Sequence, residues 1–349
     1  MVGYPLSLRE FQQERAHNTL PLLQKDMQKV LRVITLFSGY DSQCLALDRL
    51  KKDFPNFNYE LVAWCEIDKN AIKAHNALYP QWADRNLGDI TQVDWSKVPD
   101  CDLVTWSFPC QSISSAGLQH GFKEDSGTRS SLAWECIKCF QVKRPKYMLM
   151  ENVSAIMQKK FRADFAELQR RIEDLGYNNF VQLMNAKDYG VPQNRLRCFM
   201  VSIRNDGENP SYVYPPPFKL VNILKDILET NVDEKYYLKQ HQVNHIISHC
   251  EVKQQQGCGF KTNFQTENGI SSTIKTKQGT RETDTYIKEP IFGSSRLNAM
   301  LDKIDTSKTQ FVDAYNQAAY SEIAGSITTR VNAAGHTMIS EQTDESSKD

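Results

Sequence analysis

The feature that most limits what this chain can fold into is an alternation repeated between Arg32 and Arg204. A short apolar run leads into a turn bearing polar chemistry, and a helical pattern often follows. Arg32-Val33-Ile34-Thr35-Leu36-Phe37 is rich in β-branched residues and predicts a strand. It ends in Ser38-Gly39-Tyr40-Asp41-Ser42, and a helical pattern runs from Cys44 to Leu50. A second strand, Tyr59–Cys65, delivers Glu66 and is followed by a helix over Lys69–Leu78. Asn86-Leu87-Gly88-Asp89-Ile90 forms a third acidic turn. The strand Asp102–Trp106 runs into Pro109-Cys110-Gln111, and Lys146–Met150 delivers Glu151-Asn152-Val153. Helices over Leu132–Val142 and Phe161–Leu175, and strands over Asn179–Met184 and Cys198–Ile203, continue the pattern. Such alternation predicts an α/β fold with a largely parallel sheet, whose ligand crevice lies at the carboxyl ends of the strands.

The 349 residues suggest two domains, and 40% hydrophobic with 24% charged residues is the balance of a soluble globular protein. No apolar run reaches the roughly 18 residues that span a bilayer. The first residues mix both charges without an apolar core, so they are not a secretory signal, and the cytoplasm is the expected location. Nine cysteines spread along a long chain are not a disulfide scaffold. Cys136 and Cys139 form a lone CxxC within a helical pattern, which favours buried reduced thiols over a metal site, so no metal is expected.

Residues 6–30 read as a helical extension (domain 1–30), and 31–204 as the catalytic domain. A Pro- and Tyr-rich linker, Asn209–Pro217, opens a polar, loop-rich region assigned to 205–339, followed by a disordered tail at 340–349. The formal net charge is zero, so any nucleic-acid face has to be local. One stretch qualifies: Lys253, Lys261, Lys275, Lys277 and Arg281 stand against Glu267 alone. A solvated loop accounts for that charge equally well. Ile270–Thr276 and Ala324–Arg330 look alike, as a weak repeat or by chance. The Gly-, Ser- and charge-rich segment Gly117–Ser131 reads as a mobile loop of the kind that closes over substrates.

The polar residues at the strand ends form a chemical set. A thiol is the strongest nucleophile near neutral pH once its pKa is lowered, which makes Cys110 a candidate. A carboxyl group beside a substrate, here Glu151, can stay protonated and donate. Arg195 and Arg197, at i and i+2, would point the same way from one strand and bind a carbonyl oxygen or phosphate. The single-glycine turn over Phe37–Asp41, with Glu66 after the second strand, suits a nucleotide cofactor and its ribose, although an ordinary exposed Glu would look the same. The set suits conjugate addition to a polarised heteroaromatic ring.

The segments LFSGYDS, WCEID, GDITQVDW, SFPCQSIS, MLMENV and QNRLRCF, in this order, resemble those of the DNA cytosine-5 methyltransferases of bacteria and phages. The resemblance is strong from Arg32 to Arg204 and weak beyond. It implies a Rossmann-like methyltransferase sheet with a smaller, loop-rich target-recognition domain that reads double-stranded DNA in the major groove. It implies S-adenosylmethionine as cofactor, with Phe37, Ser38, Gly39, Glu66, Ile67, Asp89, Ile90 and Pro109 around it. Glu66 would hold the ribose, Ile67 would pack on adenine, and Asp89 and Ile90 would contact adenine. Cys110 would add to carbon 6 of a flipped-out cytosine, Glu151 would hydrogen-bond the ring nitrogen and exocyclic amine, and Arg197, with Arg195 beside it, would hold the carbonyl oxygen. Gln111, Ser112 and Asn152 would contact the substrate. A restriction-modification or phage role is expected.

Two departures stand out. Tyr40, Asp41 and Ser42 replace glycines usual in the family's cofactor turn, and the family's C-terminal Pro-Arg-Glu-Cys-like and Gly-Asn-Ser-Val-like motifs are not found after Arg204. The second departure leaves three explanations: a second polypeptide supplies the missing part, the gene is truncated and inactive, or the N-terminal helix substitutes. An inactive cofactor- or DNA-binding remnant is therefore the alternative of a different class. A transfer-RNA enzyme of the same chemistry is disfavoured, because its relatives carry a Cys-Phe-Thr segment that this chain lacks.

Overall fold

In the computed structural model of the chain, the described residues are 29–110, 113, 129–207, 209–229, 232, 238, 240–257, 263–274, 285–288 and three short strands at 311–313, 318–320 and 337–339. The expected N-terminal helix up to residue 28, the loop over 117–128, the second repeat segment and the tail lie outside these residues. Lys261, Lys275, Lys277 and Arg281 of the basic stretch lie outside them as well.

The chain clusters into two compact units, Met1–Asn185 with Leu196–Pro217, and Ala186–Arg195 with Phe218–Asp349. The sequence reading drew one cut after 204. In the structure the segment up to Pro217 stays with the first unit, where the Tyr214 hydroxyl donates to the carbonyl oxygens of Phe180 (2.7 Å) and Phe199 (3.0 Å) and accepts from the Val201 N–H.

The first unit is built on β1 (Leu31–Leu36), α1 (Ser42–Asp53), β2 (Tyr59–Cys65), α2 (Lys69–Leu78), β3 (Leu103–Trp106), α3 (Ala133–Lys143), β4 (Tyr147–Val153), α4 (Arg162–Asp174) and β5 (Tyr177–Asn185). After the two-residue strand β6 (Gln193–Asn194) of the second unit, β7 (Leu196–Arg204) completes the sheet, whose order is β2-β1-β3-β4-β7-β5. β1 pairs in parallel with both β2 and β3, and β3 with β4, whereas β7 runs antiparallel to β4 and β5. Val33, Ile34 and Leu36 of β1 are fully buried, as expected for a central strand covered on both faces. The chain leaves β1 toward β2 and returns on the far side of β1 as β3. The strand order therefore switches between β1 and β3, the position where open sheets bind ligands.

Packing fixes the ends of these strands. Trp106, at the end of β3, meets Phe140 of α3 edge-on with ring centroids 5.1 Å apart and stacks on Phe108 at 5.7 Å. Phe108 is 2% exposed, so the residue two before Cys110 is held in the core. Removing its ring leaves a cavity costing about 3–5 kcal/mol. On the other face Cys44 and Leu47 of α1 cover Val33, Leu61 and Trp64. Cys136 and Cys139 are fully buried on α3, and burial pushes both thiols well above their ordinary value.

In the second unit, α5 (Gln240–Gln255) buries Val243 and Ile246 with Leu238 and Tyr286. β8 (Asn263–Thr266) pairs in parallel with β10 (Thr285–Lys288), and β9 (Ser271–Ser272) with β6. β11 (Phe311–Asp313) lies between β12 (Ala318–Tyr320) and β13 (Thr337–Ile339). Lys225 pairs with Glu267 at 3.6 Å, so the acidic residue within the basic stretch has a basic neighbour outside it.

Candidate active site

The turn after β1 contains three residues with left-handed backbone: Phe37 (φ 58), Gly39 (φ 60) and Asp41 (φ 68). Glycine adopts such angles freely, and aspartate is among the few other residues that tolerate them. Asp41 thus occupies a conformation that a glycine would otherwise supply. Its backbone N–H donates to the Ser38 carbonyl (2.8 Å), and its carboxylate caps α1 by accepting from the Cys44 N–H (3.2 Å). Ser38 is 5% exposed and points its hydroxyl at the Cys65 carbonyl, so what it presents to a ligand is backbone. No atom lies within 4 Å of where a Cβ on Gly39 would stand, which leaves room beside the turn.

Glu66, just past β2, is fixed by backbone donors. Its Oε1 accepts from the N–H groups of Ile67 and Asp68, both at 2.8 Å, and its Oε2 from Gly39 at 2.9 Å. Ile67 is 63% exposed, an apolar side chain standing beside a carboxylate. That combination fits an adenosine, with an apolar platform for the base and an acceptor for ribose hydroxyls. Asn86 ties the neighbouring turn to it: its Oδ1 accepts from the N–H groups of Glu66 (3.2 Å) and Gly88 (3.0 Å), and its amide donates to the Glu66 carbonyl (3.1 Å). Sequence reasoning missed Asn86, because a polar residue that clamps two turns leaves no local pattern. Asp89 follows, exposed, accepting from the N–H and hydroxyl of Thr91. Ile90 is 4% exposed and belongs to the core, so any contact it makes with a ligand is through its backbone.

Cys110 ends the segment after β3, and its carbonyl accepts from the N–H of the fully buried Ile113 at 2.9 Å. Among the described residues, seven free cysteines are buried and Cys110 alone is partly exposed. Burial pushes the thiols of Cys65, Cys101 and Cys198 up to about 12, the last helped by the charge of Glu151. Those thiols stay neutral and unreactive at physiological pH. Gln111 and Ser112 lie outside the described residues. Pro109 is partly exposed beside Cys110.

β4 extends three residues past the expected strand, through Glu151, Asn152 and Val153, because β7 pairs with it in register as far as Val153↔Arg197. Met148, Met150 and Asn152 point into the core, and Glu151 faces the other way. Glu151 and Arg197 lie diagonally across the β4–β7 ladder on one face, and Arg197 Nε stands 3.0 Å from Glu151 Oε1, with the side chains 16% and 29% exposed. Asn152 corrects its expected role. It is 2% exposed, its amide donates to the Phe108 carbonyl at 3.1 Å, and its Oδ1 accepts from Val153 N–H at 2.9 Å. It therefore ties the Cys110 segment to the end of β4 and does not face a substrate. Arg195 also departs from expectation. It lies between β6 and β7, outside both strands, with its carbonyl accepting from the Ala186 N–H, and it belongs to the second unit. The two arginines do not share a strand face.

The chain resembles known proteins along most of its length. Residues 31–336 match the C-5 cytosine-specific DNA methylase family. The Type II methyltransferase M2.ScrFI of Lactococcus lactis subsp. cremoris is 35% identical over 266 residues, covering 62% of this chain and 72% of that protein. The orphan methyltransferase M.SPRI of Bacillus phage SPR is 29% identical over 291 residues, covering 71% of this chain and 64% of its own length, so the chain spans just under two thirds of that relative. Among solved structures, the Entamoeba histolytica methyltransferase EhMeth superposes with a TM-score of 0.57 at 18% identity, covering 76% of this chain and 77% of that one, which shows a shared fold. With the family match running from β1 to residue 336 over a methyltransferase fold, the chain belongs to the C-5 cytosine-specific DNA methylases, enzymes that transfer a methyl group from S-adenosylmethionine to carbon 5 of cytosine in DNA.

Proposed function

We propose that this chain carries out that transfer through a covalent bond between Cys110 and a cytosine turned out of double-stranded DNA. The observation that carries the reading is the Glu151–Arg197 pair at 3.0 Å, on a strand end that Asn152 ties to the Cys110 segment. A nucleophile, a carboxyl group and a guanidinium thus come from three neighbouring strands.

In this reading the Cys110 thiolate adds to carbon 6, forming a C–S bond and pushing electron density to carbon 5. Glu151 bonds the ring nitrogen and the exocyclic amine, and its proton quenches the charge that addition places on the ring. Arg197 orients the Glu151 carboxyl group and reaches the cytosine carbonyl oxygen. Carbon 5 then takes the methyl group that S-adenosylmethionine supplies. A base removes the carbon 5 proton, the 5,6 double bond re-forms and the thiolate leaves. Glu66 and Ile67 hold the cofactor's ribose and adenine, the backbone at Phe37, Ser38 and Gly39 lies along its amino-acid end, and Asp89, Ile90 and Pro109 complete the pocket.

The second unit reads the DNA sequence, with Arg195 on the DNA backbone and Gln111 and Ser112 at the flipped base. The proposed site of action is the cytoplasm. No described helix is long and apolar enough to cross a membrane, and buried free thiols suit a reducing compartment. Incubation with labelled S-adenosylmethionine and mixed-sequence duplex DNA tests the reading. Label should enter DNA, with or without a complementing C-terminal fragment, and bisulfite sequencing should place it on cytosine. No transfer in either arm, or full activity in Cys110→Ser, contradicts the reading.

A further inference from the structure

Directly beneath the cofactor turn lies a buried acid–imidazole pair that the reaction above does not use. Asp41 and His75 are both fully buried. Asp41 Oδ2 accepts from the Thr35 hydroxyl at 2.8 Å and its Oδ1 from the Cys44 N–H at 3.2 Å. His75, on α2, stacks on Trp64 of β2 with ring centroids 3.7 Å apart and planes at 19°. Its Nδ1 lies 3.3 Å from Asn76 Oδ1, and its Nε2 lies 3.6 Å from Asp41 Oδ2. That second separation is an ion-pair distance but longer than a hydrogen bond, and Nε2 has no other hydrogen-bond partner. Both ring nitrogens therefore face oxygen atoms. A neutral imidazole has one N–H and satisfies one of them, while the doubly protonated ring donates to both.

The other titratable groups here are the Cys44 thiol, the Asp48 carboxylate and the hydroxyls of Tyr59 and Tyr79, both of which donate to Asp48. Burial pushes the Cys44, Tyr59 and Tyr79 protons up, so these groups stay neutral. Among these groups the His75 ring alone stands at ion-pair distance from the Asp41 carboxyl group.

Asp41 is also the residue whose left-handed backbone closes the turn through its N–H to the Ser38 carbonyl, beside the Gly39 N–H that holds Glu66. We propose that His75 is a positioning residue for the cofactor site, acting through Asp41: its imidazole, stacked on Trp64 and 3.6 Å from the buried carboxylate, holds the Phe37–Asp41 turn in its binding shape. This accounts for an aspartate where the family carries glycine, because the backbone freedom lost is replaced by a buried contact. The inference rests on the proposal that this turn binds S-adenosylmethionine.

The test is calorimetric titration of the full chain with S-adenosylhomocysteine for wild type, His75→Phe and His75→Gln. Phe keeps the stack on Trp64 but has no ring nitrogen, and Gln keeps one neutral donor. Both variants should bind about tenfold more weakly than wild type, a change of about 1.4 kcal/mol. In turnover the loss should appear in KM for the cofactor and not in kcat. Equal affinity in wild type and variants overturns the proposal, as does unfolding of both variants, which would make His75 a core residue only. Failure of wild type to bind at all strikes instead at the cofactor reading.

Discussion

Cys110 gains its meaning from exposure as much as from its neighbours. The chain holds other thiols, but burial keeps Cys65, Cys101 and Cys198 neutral, with their thiols pushed up to about 12. Glu151 is set by pairing: its oxygen lies 3.0 Å from Arg197. Glu151→Gln keeps the shape and one donor but cannot deliver a proton, so kcat should fall by about 10²–10⁴ while cofactor affinity stays within about twofold. Rapid-quench measurement of methyl transfer beside cofactor titration checks both halves. The motifs around Cys110, Glu151 and Arg197 were legible in the sequence because each is a short contiguous word. Asn152, Asn86 and His75 were read for less than they do, or not at all. Their work is to join segments distant in sequence, and a buried polar side chain has no periodicity to betray it.

Among the elements, the six strands of the main sheet and the helices between them were legible from apolar runs and helical spacing, to within a few residues. Pairing direction was not: nothing in the sequence of β7 says that it runs antiparallel between β4 and β5, and that register is what places Arg197 beside Glu151. The base of the sheet is locked by Asp102, just before β3, which bonds the Arg32 backbone N–H and takes a two-pronged contact from its guanidinium, all at 3.0 Å. Partial burial alone would raise the Asp102 pKa, but the hydrogen bonds from Arg32 outweigh it and bring the carboxyl down to about 2. A carboxyl group lowered on folding stabilises the fold above its unfolded value and loses that contribution as pH falls through the folded value. Asp102→Asn should therefore lower stability by about 1–3 kcal/mol at neutral pH. The difference from wild type should shrink as pH drops from about 4 toward 2. Urea unfolding at several pH values measures this, and a constant difference would show that the charge of Asp102 does not matter.

For the whole molecule, the two units were legible only in outline. The composition change after Arg204 was visible, but not that Ala186–Arg195 clusters with the later part of the chain, because a short excursion carries no compositional mark. Cofactor binding should stabilise the first unit by mass action, about 2.7 kcal/mol at a hundredfold excess over Kd. S-adenosylhomocysteine should therefore raise the melting temperature of wild type and not of Glu66→Ala, which lacks the carboxylate held by Gly39, Ile67 and Asp68. An equal rise in both would place the ligand elsewhere. The central claim, that Cys110 bonds to the base, has a direct readout. With duplex DNA carrying 5-fluorocytosine, carbon 5 holds fluorine where a proton should leave, so the adduct cannot be released after methylation. Peptide mass spectrometry after incubation with S-adenosylmethionine should find a methylated fluorocytosine on the peptide containing Cys110. Methylated DNA with no adduct, or an adduct on any other cysteine, would contradict the account.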